Sequence, residues 1–156
     1  MVKISGLAEL RTSFAEGSSE IQNKAGRGAV ASAASIIRRE AKNIVKSKGL
    51  IKTGALLENI AIKRDKSPAG VFTYNVGVRH GSKAKRARKV VTYRGTRASV
   101  KYENDPFYFF MLEFGTSKMP AKPFLRPAFE SKKADAAQRI ADRLRTSIEK
   151  FKAKRR

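Results

Sequence analysis

The sequence predicts an α+β fold in a single domain, and three observations carry that prediction. Apolar residues recur at helical spacing from about Asn23 to Ile44, strand-like runs fill Asn59 to Tyr102, and a second helical stripe runs from Phe129 to Phe151. The expected architecture is a long N-terminal helix and a C-terminal helix packed on a small, largely antiparallel β-sheet, with a basic β-arm or loop. The chain has 156 residues, 41% of them hydrophobic, which is enough for a real core and excludes whole-chain disorder.

Leu7, Leu10, Phe14 and Ile21 recur at helical spacing behind Ser5 as a cap, and Gly17-Ser18-Ser19 weakens that helix midway. From about Asn23 a stronger pattern passes through Val30, Ala34, Ile37, Ala41 and Ile44, with Arg38, Arg39 and Lys42 interleaved. Ala29, Ala31, Ala33 and Ala34 make a slim face that lets another backbone approach. The helix should stop near Ser47-Lys48-Gly49, because glycine readily takes the left-handed conformation just past a helix end. Thr53-Gly54 opens a short turn or helix, and Asn59 to Arg64 alternates as a strand. Ser67-Pro68-Ala69-Gly70 reads as a turn, and Val71 to Val78 has the β-branched and aromatic content of a second strand. Together these predict an antiparallel hairpin with its apolar face on the long helix.

A second strand pair is expected from Lys89 to Tyr93 and Ala98 to Tyr102, joined through Arg94 to Arg97. Pro127 suits the first turn of a helix, where its missing N–H costs nothing. The stripe Phe129, Ala136, Ile140, Leu144, Ile148 and Phe151 follows, with Asp135, Asp142 and Glu149 among basic residues on the other face; Lys152 to Arg156 reads as a frayed tail. The organisation is thus one domain over 1–156, with a basic arm at about 79–105, a Pro-rich docking segment at about 113–127 and a C-terminal helix at about 127–151.

Charge is the compositional anomaly. Thirty-five Lys and Arg against thirteen Asp and Glu leave +22 at pH 7, a field that attracts polyanions, nucleic acid above all. The charge is also clustered. Arg79, Lys83, Lys85, Arg86, Arg88, Lys89, Arg94, Arg97 and Lys101 fall in one stretch without an acid, beside Tyr93 and Tyr102. Such an arm can follow a phosphate backbone without reading bases, dock on an acidic neighbouring subunit, or simply oppose aggregation.

Several chemistries are excluded. With no cysteine there are no disulfides, thiolate metal sites or cysteine nucleophiles, and one histidine, His80, is too few for a zinc site. Gly26, Gly28 and Ala31 fit a dinucleotide-binding spacing, but no strand precedes them; glycines at a helical kink or helix start explain them better. No Walker A, G-x-S-x-G or H-E-x-x-H string occurs. No enzyme, metal or cofactor is expected. No run approaches the roughly 18 apolar residues of a membrane helix. Met-Val-Lys-Ile-Ser-Gly lacks an apolar signal core, so a soluble protein that works without export is expected.

Residues 112–129 hold the densest signal. The apolar run Phe107 to Leu112 leads into Glu113, a turn at Gly115-Thr116, and then Pro120, Pro123 and Pro127. Prolines fix φ and remove donors, so residues 117 to 126 should be neither helix nor central strand but an extended docking element. Its interface residues would be Glu113, Phe114, Gly115, Thr116, Met119, Pro120, Pro123, Phe124, Leu125, Arg126 and Pro127. Met119, Phe124 and Leu125 would be apolar anchors, with Glu113 and Arg126 as polar partners. Glu113, the one acid in the run, either lies against an arginine or caps the Gly115-Thr116 turn. Catalysis would need a second group, and Glu103 and Asp105 lie in a separate loop.

The string from Tyr108 to Phe129 resembles the signature of a tailed-bacteriophage family. Its members are minor tail components, the tail-completion or head–tail joining proteins of phages with long non-contractile tails. Thr53-Gly54-Ala55-Leu56 followed by Asn59-Ile60 is similar to the Thr-Gly-x-Leu that precedes the family's first strand. The two strings stand in the family's order with a basic helix after the second, so the resemblance spans residues 25 to 150. It implies a homo-oligomeric ring, a hexamer, assembled in the host cytoplasm into the virion neck. Its partners there would be the tail terminator, tail tube and head connector proteins, without membrane contact. In such a ring the basic residues are expected to face phage DNA in the channel or an acidic rim of the next ring, an expectation that rests on their charge, since they lie outside the resembling strings. The alternative from charge alone is a freestanding, nucleoid-like DNA- or RNA-binding protein.

Overall fold

The computed structural model describes residue 12 and residues 19–51 and 53–154. The expected helix through Leu7, Leu10 and Phe14 lies outside these residues. Helix α1 runs from Ser19 to Ser47, starting before the strong apolar pattern does. Its buried face is Ala29, Ala33, Ala34, Ala41 and Val45. Ala128, Ala136 and Ala141 are the buried small residues of α4, the C-terminal helix from Leu125 to Lys154, which packs on α1. The two helices, about 43 and 45 Å long at 1.5 Å per residue, form the main packing interface of the molecule.

The α1 stop follows from Gly49. It takes φ 63°, its N–H bonds to the carbonyl of Lys46 at 3.1 Å, and the Leu50 N–H bonds to that of Val45 at 3.0 Å. This is a Schellman termination, and Leu50 packs back on the core. Gly54, at φ 75°, leads into the short helix α2, Ala55–Asn59. Strand β1, Ile60–Arg64, pairs antiparallel with β2, Tyr74–Val78, which is three residues shorter at its start than the β-branched run implies. The turn between them has Gly70 at φ 80° and a bond from the Val71 N–H to Pro68.

This hairpin lies on α1. Gly26 is where it presses closest, because a Cβ there would meet the Phe72 ring. Gly26 and Gly28 therefore sit inside a continuous helix rather than at a kink or start, and the close ring accounts for the first of them.

After a 3-10 turn, Gly81–Lys83, strands β3 (Arg88–Arg94) and β4 (Arg97–Glu103) form a second two-stranded sheet. The single expected sheet is thus two separate antiparallel pairs. A short helix α3, Phe109–Phe114, precedes the Pro-containing loop and α4. Helix α4 begins two residues before Pro127 and continues to Lys154, past the point where a frayed tail was expected. The core gathers at one end of the helix pair: Ala41 and Val45 of α1, Leu56 of α2, Ile60 of β1, Phe109 of α3, and Phe124 and Ala128 at the start of α4.

Candidate functional site

The loop from Gly115 to Phe124 is folded back on itself, not extended. Gly115 has φ 77° and ψ −178°, a glycine-only conformation, and its N–H closes α3 onto Met111 at 2.9 Å. Thr116 and Met119 then exchange backbone hydrogen bonds of 2.9 and 3.2 Å. The Lys122 N–H reaches the Leu112 carbonyl at 2.7 Å, and the Lys48 ammonium reaches that of Pro123 at 2.7 Å.

Glu113 caps a helix through backbone N–H groups, rather than capping the Gly115-Thr116 turn or pairing with an arginine side chain. Its carboxylate accepts the N–H groups of Phe124 at 2.9 Å, Leu125 at 3.1 Å and Arg126 at 3.1 Å. Pro127 has no N–H, and the Ala128 N–H makes the first bond within α4, to Phe124 at 3.3 Å. Every donor that the first turn of α4 leaves open is therefore matched. Leu125 and Arg126 are helical because this cap reaches them, which overrides the proline-based expectation.

Two of the three expected apolar anchors belong to the fold. Phe124 is 0% exposed at the centre of the core and cannot reach a partner, and half-buried Leu125 packs against the core beside it. Met119 is half-buried, as are Pro123 and Pro127, while Thr116, Pro120 and Arg126 are exposed. Phe114, by contrast, is 78% exposed.

It does not stand alone. Phe107, Phe110, Met111 and Phe114 follow one another at i, i+3, i+4 and i+7 and are all exposed. Tyr108, Phe109 and Leu112 turn the opposite side of α3 into the core. Aromatic contacts border the outer face: Phe110 lies against Phe109 with ring centroids 3.9 Å apart, and exposed His80 contacts both at 5.8 and 5.9 Å. Sequence reasoning took Phe107 to Leu112 as one apolar run and missed this face. The signal was there in the helical spacing, once the run is recognised as a helix rather than as a lead-in to the prolines.

The basic cluster divides in two. At the base of the arm, Ala84 is buried and the Lys85 N–H donates to the Asn59 side-chain oxygen at 2.6 Å. Arg86, with φ 58°, pairs with Glu58 at 2.9 Å. Nearby Lys42 has its pKa pushed down, by burial first and then by Arg38, Lys85 and Lys46, against the pull of Glu58. Arg79 and Lys83 line the flank of the first hairpin.

The β3–β4 hairpin holds the rest. Only Val90 and Tyr102 are even half-buried on it, and the hairpin stands off the body. Its register sorts the residues by face. Arg88/Glu103, Val90/Lys101, Thr92/Ser99 and Arg94/Arg97 share one side, and Lys89/Tyr102, Val91/Val100 and Tyr93/Ala98 the other.

Among the described residues no cluster of His, Asp or Glu has the makings of a metal site, and no helix is long and apolar enough to cross a membrane. No protein-family model, curated protein or solved structure matches this chain.

Proposed function

We propose that this chain is a non-enzymatic structural subunit of a tailed-phage neck, a tail-completion or head–tail joining protein. It closes into a ring between the tail tube and the head connector, with its basic arm on the channel side or against an acidic rim. The uncovered face of α3 carries the reading. Four large apolar side chains on one side of a short helix, beside a rigid self-closed loop, form a patch that soluble monomers rarely leave bare. Buried against a neighbour, such a patch contributes about 25 cal/mol per Å². A contact between unlike surfaces of identical copies repeats around an axis and closes into a ring when its rotation divides a full turn. The string that resembles the phage family includes Phe110, Met111 and Phe114 of this face, which joins the two lines of support.

The test is native mass, by light scattering or mass spectrometry, of the wild type and of a Phe114→Ser, Met111→Ser double variant. Both positions lie outside the core, so the variant keeps the wild-type unfolding transition. The wild type is expected as a discrete ring, alone or on addition of tail or connector protein, and the variant as a monomer under both conditions. A wild type that coats DNA as a monomer or dimer without fixed stoichiometry favours the freestanding DNA-binding protein and refutes the ring.

A further inference from the structure

We infer that one face of the β3–β4 hairpin is a phosphate-binding surface for duplex DNA, and that the binding is carried by Arg94, Arg97 and Lys101. This deepens the proposal of a neck subunit by choosing DNA over an acidic protein, and it rests on that reading only for its setting.

The argument starts from the pairing. Arg94 and Arg97 are directly opposite each other across the tip, bracketing a two-residue Gly95-Thr96 turn with Gly95 at φ 62°. Like charges so placed, with Cβ atoms about 5 Å apart, destabilise a hairpin. An anion between them removes the repulsion, and a phosphate accepts from two guanidinium forks at once. Lys101 extends the row along β4 on the same face, next to the hydroxyls of Thr92 and Ser99. Arg88 sits at the base of this face opposite Glu103, which offsets its charge.

The composition of the face distinguishes nucleic acid from protein. A protein interface needs an apolar, charge-poor centre. Here the apolar residues Val91, Val100 and Tyr93 are on the opposite face, and the cationic face offers charge and hydroxyls with Val90 alone between them. Duplex DNA also fits by size, since its major groove, about 12 Å wide, admits a two-stranded β-ribbon, whereas the deep groove of duplex RNA does not. Cations engaged on phosphates carry no sequence information, so binding through Arg94, Arg97 and Lys101 to the backbone is independent of sequence.

The experiment measures the affinity of the full-length protein for a 30-base-pair duplex of arbitrary sequence, by fluorescence anisotropy across a salt series. The Arg94→Gln, Arg97→Gln, Lys101→Gln variant is expected to lower the log–log salt slope by about 2.7, at roughly 0.9 per phosphate contact. Lys89→Gln, on the other face, leaves the slope unchanged. Equal slopes for wild type and triple variant overturn the assignment, as does a loss of slope from Lys89→Gln as large as one triple-variant position. Binding to polyglutamate but not to duplex, abolished by the same triple variant, overturns it in favour of an acidic protein partner. Native mass separates this from the ring: a wild type that shows the slope difference yet never oligomerises sinks the neck subunit and leaves the DNA face intact.

Discussion

Replacing Glu113 by alanine removes the acceptor of three backbone N–H groups in one step. Those of Phe124 and Leu125 lie partly away from water, and that of Arg126 is exposed and rehydrates. A donor left without a partner in a partly buried setting costs about 1–3 kcal/mol, and a lost negative charge at a helix start about 0.3–1 kcal/mol. Taking the low end for each, because Glu113 itself is only half-buried, gives a loss of about 2.3 kcal/mol. At about 2–4 °C per kcal/mol for a chain of this size, Tm falls by about 5–9 °C. Glu113→Gln keeps one acceptor oxygen without the charge and should lose about half as much. The assay is thermal or urea unfolding at fixed protein concentration, with hydrogen exchange at residues 124–126 as the local readout. An alanine variant within about 0.5 kcal/mol of wild type, the range of an ordinary surface change, refutes the cap as the element that starts α4.

Gly115→Ala is expected to lose about 2–3 kcal/mol, from the glycine-only φ and ψ and from a Cβ 2.9 Å from the Ala121 backbone nitrogen; urea unfolding measures it. Asn59 is 0% exposed, donates to the Ala55 carbonyl at 2.9 Å and accepts from Lys85. Asn59→Ala should destabilise by about 2 kcal/mol and speed tryptic cleavage between Lys83 and Lys89 by about tenfold for each 1.4 kcal/mol of local stability lost. Lys42→Gln should raise Tm at pH 7 by about 1–2 °C. The folded-state pKa of Lys42 lies below its ordinary 10.5, so its charge opposes folding below that folded value. The penalty fades as pH rises towards and past 10.5, and the advantage of the glutamine variant in a Tm-versus-pH series should fade with it.

The two long helices and both hairpins were legible because their signals are local. The period of Val30, Ala34, Ile37 and Ala41, the glycine at 49 and the Gly95-Thr96 tip each act within a few residues of where they stand. The Pro-rich segment misled because three prolines dominate any local reading. What folds it is a carboxylate that acts eleven to thirteen residues downstream. No adjacent pattern marks Glu113 as the cap of a helix it does not belong to. Phe124 was misplaced for the same reason: its burial depends on α1, α2 and β1 converging over it. The division of the arm into two faces needed the register, since a one-residue slip would exchange them.

The hairpin that carries the cationic face contributes nothing to the core cluster. It is joined to the body at two feet, and each passes through a residue in the left-handed conformation, Arg86 at φ 58° and Asn104 at φ 60°. Arg88 and Glu103 hold those feet side by side. The arm is therefore a cassette: a glycine-asparagine link in its place would close the chain without moving a core side chain, and a longer or differently charged ribbon could be spliced onto the same feet. Lineages could retune how such a protein grips its partner by rewriting sixteen or so residues from Arg88 to Glu103, while the packing between the two long helices stays as it is.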